Sequence, residues 1–147
     1  MKLNEDCLRD TLILLVDNLQ IFIDKKYKTV EFGKLSVLQI AEELPEYSLE
    51  DVFQSLYILS QNNYVKGINN VYVNGQPLSN IYINEVTYLG FQFYESIQPE
   101  PIWNKTKNII KQVGVHSLEF IETVAHDIAV ESAKQMVALI IPNQKNE

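Results

Sequence analysis

Helical apolar spacing over most of 147 residues, broken by a few short β-branched runs, predicts an α+β, mostly helical fold. The break Gln98-Pro99-Glu100-Pro101 divides the chain into a domain over 1–98 and a helical extension over 99–147. A composition of 46% hydrophobic and 21% charged residues is that of a folded globular protein with a real core.

The elements follow in order. Asn4 is a good helix cap, and Glu5 and Asp6 suit the positive end of the helix dipole. Leu8, Leu12, Leu15, Val16 and Leu19 recur at helical spacing, and the pattern fades near Asp24, where "DKKYK" starts a polar link. Thr29 to Phe32 reads as a short strand. "SVLQIAEELP" begins at the cap Ser36 and stops before Pro45, giving a helix of about three turns. Ser48 caps a third helix with an apolar face of Leu49, Val52, Phe53, Leu56 and Leu59; Gln54, Ser55, Gln61 and Asn62 fall largely elsewhere.

Val71 to Val73 and Ile81 to Ile83 then predict a hairpin around a long loop, with Val73 near Ile81 and Tyr72 near Tyr82. "TYLGFQFYESI" follows as a helix despite the cost of Gly90 inside it. Past the boundary, Trp103, Ile109, Ile110 and Val113 fall on one face of a helix. A last helix of about 24 residues, roughly 36 Å long, carries a near-continuous apolar stripe that includes Ile121, Val124, Ile128, Met136 and Ile140. The tail "PNQKNE" is expected to fray.

Helix, short strand, helix, helix, two-stranded wing, helix is the order of a winged helix-turn-helix. Ser48 to Asn62 would be its recognition helix and Asn69 to Glu85 its wing. The opening "MKLNEDCLRD", the "YVKG" after the third helix, "EVTYLGFQFYESI" and "IWNKTK" resemble domain-of-unknown-function family 2513, a set of small bacterial and phage proteins. The resemblance implies a winged-helix-like first part, a helical C-terminal extension and a phage or prophage setting. That family has no established activity, so no functional residue is implied. "VTYLGFQFYESI" also resembles the T-x-x-G-x-x-F step that follows the wing of many bacterial winged-helix regulators.

Charge weighs against DNA as the partner. Residues 1–34 carry six basic and six acidic groups, and residues 101–147 carry five of each. Between 35 and 100, Lys66 stands alone against eight carboxylates, among them Glu42, Glu43, Glu46, Glu50 and Asp51. All of the net −7 therefore lies where a duplex would dock, although duplex affinity rests on cations neutralising phosphates. The leading expectation is a non-enzymatic protein-interaction module that binds a protein partner, a basic one by charge, through Glu50, Asp51, Gln54, Tyr72 and Tyr82. Tyr72 and Tyr82 could equally cover the third helix or the extension. The alternative is a DNA-binding regulator, with Lys25, Lys26, Lys28 and Lys34 on phosphates and Gln54 and Asn62 reading bases.

The long stripe is expected to form a homodimer through Ile121, Val124, Ile128, Met136 and Ile140, with packing inside the chain as the alternative. His116 and His126 do not share a helix face at metal-ligand spacing, and Cys7 is the one cysteine, so no enzyme, metal or cofactor is expected. No apolar run approaches a membrane span and no signal peptide is visible, so the expectation is a soluble cytoplasmic protein without membrane contact.

Overall fold

The computed structural model describes residues 2–68 and 70–141, and the expected frayed tail lies outside them. It is an α+β architecture, mostly helical, with small antiparallel strand pairs. The chain divides into two units, Met1–Tyr94 and Glu95–Glu147.

Helix α1 (Glu5–Asn18) starts where predicted, the Asn4 side chain accepting from the Cys7 N–H at 3.1 Å. Leu8, Leu12 and Leu15 are buried along it. It ends at Asn18, earlier than its apolar pattern suggested. Ile21–Asp24 is instead strand β1, paired antiparallel with β2 (Thr29–Phe32). The aromatic and β-branched run Ile21-Phe22-Ile23 prefers the extended state. Asp24 then closes the turn, Oδ1 accepting from the Lys26 and Tyr27 N–H groups at 2.9 and 3.0 Å. The expected polar link is thus a hairpin turn.

Strand β3 (Leu35–Ser36) leads into α2 (Val37–Glu42), where Ser36 and Gln39 form a reciprocal capping box. Helix α2 is shorter than the three turns expected. Pro45 disfavours helical backbone at Leu44, whose N–H bonds back only three residues, to the Ala41 carbonyl. Helix α3 (Leu49–Gln61) begins at the Ser48 cap and packs against α1. Val52, Ser55, Leu56 and Leu59 form its buried face. Ser55, expected to point elsewhere, is completely buried, as are Cys7 and Thr11 on α1. Three small side chains let two helices approach closely.

The expected hairpin between residues 71–73 and 81–83 is not formed. Asn70–Val73 is a single helical turn, α4, followed by Gly75 at φ +79° and a 3-10 turn over Leu78–Asn80. Ile81 and Ile83 are buried, and their segment pairs with other partners. Strand β5 (Tyr82–Ile83) pairs with β3, and β6 (Glu85–Val86) pairs with β4 (Val65–Lys66). One extended stretch is therefore held on both sides. The Asn84 N–H bridges the two pairings by donating to the Lys66 carbonyl at 3.1 Å. Gly67, at φ +140°, faces the Tyr82 carbonyl where any Cβ would collide, so the chain must turn outward there.

Helix α5 (Tyr88–Ile97) is locked to the end of α3 through Tyr64. The Thr87 N–H donates to the Tyr64 carbonyl at 3.0 Å, and Thr87 Oγ1 donates to the carbonyls of Asn63 and Tyr64 at 2.6 and 3.1 Å. The same hydroxyl accepts from the Gly90 N–H at 3.1 Å. A Cβ at Gly90 would overlap the Tyr64 carbonyl oxygen. Phe93 sits against the Tyr64 ring, centroids 5.2 Å apart, and both are buried. The T-x-x-G-x-x-F pattern is a single physical contact.

In the second unit, α6 (Glu100–Val113) and α7 (Leu118–Ile140) pack together across a short link. Gly114, left-handed at φ +80°, ends α6 and Ser117 caps α7. Trp103, Thr106 and Ile110 are the buried residues of α6; Ile109 and Val113, expected beside them, are exposed.

Two consequences can be measured. In an exposed helix, Gly→Ala stabilises by about 1 kcal/mol. Gly90→Ala should instead destabilise by about 1–3 kcal/mol, read as a lower urea midpoint, because the added methyl meets fixed backbone. The second concerns alkaline pH. Tyr47 donates to Asp10 Oδ2 at 2.5 Å, joining α3's approach to α1. Burial and that carboxylate push the Tyr47 phenol well above its ordinary 10.0, and burial pushes the Cys7 thiol above 9.0. The fold holds both groups neutral, so their contribution is complete below these ordinary values and is lost as pH rises beyond them. Urea midpoints should fall above about pH 9–10, and less steeply in Tyr47→Phe.

Candidate interaction surfaces

Helix α3 presents the face on which the functional expectation rests. Its first turn holds Glu50, exposed, and Asp51, half-buried. Asp51 is engaged structurally: its N–H donates to Ser48 Oγ at 3.1 Å, and Oδ2 accepts from the Asn4 amide at 3.2 Å. The caps of α1 and α3 are thereby tied together. Further along, Gln54 is half-buried. The Asn62 amide donates to the Ile58 carbonyl of its own helix at 2.8 Å.

A stripe that sequence spacing had assigned in part to the core runs along the same helix. Leu49 is half exposed, Phe53 and Tyr57 are half-buried, and the two rings stack with centroids 6.2 Å apart. Tyr57 also accepts from the Gln61 amide at 3.0 Å. The i, i+4, i+8 spacing of Leu49, Phe53 and Tyr57 was the available signal. This face carries no cation from Ser48 to Tyr64. Lys66, next in the chain, is paired with Glu85 at 3.4 Å.

Tyr72 and Tyr82 do not form the expected pair. Tyr72 lies on α4 and is 75% exposed, while Tyr82 lies on β5 beneath Lys34, whose Nζ stands 4.3 Å from the ring centroid. A cation–π contact therefore engages the one tyrosine, and the other stands in solvent.

The lysines are divided by the β1–β2 hairpin. Lys25, Lys26 and Lys28 sit in its turn with Tyr27, and Lys34 lies beyond its base. The register Ile21↔Phe32, Phe22↔Glu31, Ile23↔Val30, Asp24↔Thr29 places Ile21, Ile23, Val30 and Phe32 on one face. All four are more than half exposed. Ile21 and Phe32 also line a groove of about 310 Å³ with Leu15, Val16, Val86 and Phe91. Thr29–Phe32 was legible as a strand, but the alternation of its partner "IFI" was hidden by extending the helical reading of α1 to Asp24.

The residues expected to dimerise separate into two groups. Ile121 and Val124 are buried in the half of α7 that begins beside α6, Ile128 is half-buried, and Met136 and Ile140 are exposed. Helix α7 is 23 residues long against 14 for α6, so its last turns overhang. No group of three His, Cys, Asp or Glu among the described residues is placed to hold a metal ion, and no described helix is long and apolar enough to cross a membrane.

A family model described as Hypothetical protein (DUF2513) matches residues 2–116. No curated protein and no solved structure matches the chain. The matched stretch takes in residues 2–94 of the first unit, the Tyr64–Thr87–Gly90 contact included, and the chain belongs to the DUF2513 family.

Proposed function

We propose that this chain is a non-enzymatic, winged-helix-like protein-interaction module of phage or prophage type, acting in the cytoplasm. It binds a basic protein through the outward face of α3. The winged-helix reading is supported by three helices, α1 to α3, followed by an extended segment held between β3 and β4. One observation carries the functional reading. Where a recognition helix would offer cations to phosphate, α3 offers Glu50 and the Leu49–Phe53–Tyr57 stripe. Exposed Glu42, Glu43 and Glu46 precede it in the chain. Carboxylates around an aromatic ridge suit a cationic protein surface, where the rings add contact area and the charges speed encounter.

A DNA-binding regulator is the second reading, and the clustering of Lys25, Lys26 and Lys28 in one exposed turn favours it. Against it, that turn must overcome the repulsion of every acidic group on α2 and α3, and Asn62 is already bonded to its own helix.

Capture from host lysate tests the leading reading. The tagged wild type should retain a basic protein, and Glu46→Lys with Glu50→Lys should lose at least about 90% of it, in line with a deficit of 1.4 kcal/mol or more. Both positions are exposed, so the variant should keep its helical circular dichroism. Undiminished capture by the folded variant removes α3 from the proposal.

A further inference from the structure

The β1–β2 hairpin carries two features that the α3 reading leaves unused, an apolar face and a cationic turn. Its eight strand residues are exposed on both faces. A two-stranded ribbon without a neighbour is marginal in water, so a partner stabilises it. Its two faces differ in charge. Ile21, Ile23, Val30 and Phe32 make one face with no charge, and Phe22, Asp24, Thr29 and Glu31 make the other with two carboxylates. Lys25, Lys26 and Lys28 stand exposed in the turn, where Asp24, the one acid beside them, already accepts from two turn N–H groups. Lys34, past the base, is engaged over the Tyr82 ring, and Lys66 by Glu85.

Helix α3 offers the opposite arrangement. Glu50 lies one turn before Phe53 and two turns before Tyr57 on the same outward side, with half-exposed Leu49 beside it. From Leu35 to Val65 the chain holds five carboxylates and no Lys or Arg, and Glu42, Glu43, Glu46 and Glu50 are exposed. Lys2 precedes the Asn4 cap that bonds Asp51, but Glu5, Asp6, Glu50 and Asp51 outnumber it at that end. Charge therefore selects both the occupant and the hairpin face. Turning the Phe22 face to α3 would set Asp24 and Glu31 against Glu46 and Glu50. Turning the uncharged face sets Ile23 and Val30 on the Leu49–Phe53–Tyr57 ridge and brings the lysines to its carboxylates. We propose that the hairpin of one copy of this chain docks on α3 of another. The contact joins unlike surfaces, so it propagates head to tail. It rests on the reading of α3 as an anionic docking face and goes beyond it: self-association and capture of a basic protein compete for one ridge.

Sedimentation velocity of the purified chain at low salt, over a range of concentrations, tests this. The wild type should associate increasingly with concentration. Lys25→Glu with Lys26→Glu, and separately Glu46→Lys with Glu50→Lys, should each raise the dissociation constant by about 100-fold with unchanged circular dichroism. Mixed in equal amounts, the two variants should associate again, because each brings the face that the other lacks; loss of fold cannot produce that. A monomeric wild type overturns the proposal and leaves capture by α3 standing, since no other protein is present. The proposal also fails if either variant associates as the wild type does, the result expected of hairpin-on-hairpin or α7 pairing, or if the mixed variants stay apart.

Discussion

The carbonyl of Tyr64 is the point on which the first unit turns. It lies just past α3, accepts from both the backbone and the hydroxyl of Thr87, and lies so close to Gly90 that no side chain fits there. Asn63, at φ +62°, supplies the left-handed step that aims this carbonyl, and the ring of Tyr64 closes on Phe93. One residue thus fixes where α3 stops, where β4 starts and how α5 enters. With β4 and α5 set, the segment between them has one extended course, paired to β4 on one side and β3 on the other. Leaving a buried carbonyl unpaired would cost about 1–3 kcal/mol, so the Thr87 hydroxyl and Gly90 act together.

That contact separates the parts of the unit that must be rigid from the parts that are free to vary. Buried residues of α1, α3, β4 and β5 form the core of the unit, and Cys7 and Thr11 of α1 and Ser55 of α3 are wholly buried within it. The β1–β2 hairpin leaves the fold before any of this and returns to it at Leu35, with all eight of its strand residues exposed. Helix α4 similarly projects between Gly67 and Ile81, carrying Tyr72 into solvent. Exposed loops and hairpins on a fixed scaffold are where proteins place recognition. The electrostatic division follows the same line: acids surround α2 and α3, and four of the six lysines of the first unit, Lys25, Lys26, Lys28 and Lys34, gather in and beside the hairpin.

Much of the helical framework was legible because helix starts are written locally. Asn4, Ser36 and Ser48 cap where their sequence context indicates, since a cap needs only its own next turn. Strand partners were not legible for the opposite reason. Ile81-Tyr82-Ile83 looks like the return strand for Val71-Tyr72-Val73, and nothing local reveals that Leu35-Ser36 is its partner instead. The end of α1 was misplaced because Leu19 continues the helical period into a segment whose alternation begins only two residues later. Gly90 looked like a flaw until the Tyr64 carbonyl was placed against it. The apolar hairpin face escaped notice because an alternating pattern normally marks a half-buried strand, and here all eight strand residues are exposed.

The account depends most on the claim that α3 meets protein and not nucleic acid. Fluorescence polarisation of labelled duplex at low salt, with random DNA and DNA from upstream of the chain's own gene, tests it most directly, because low salt favours phosphate binding most. The account predicts no binding to either duplex at micromolar protein. Tight binding to the upstream duplex alone, falling steeply with added salt, would contradict it and assign the lysine turn of the hairpin to phosphate.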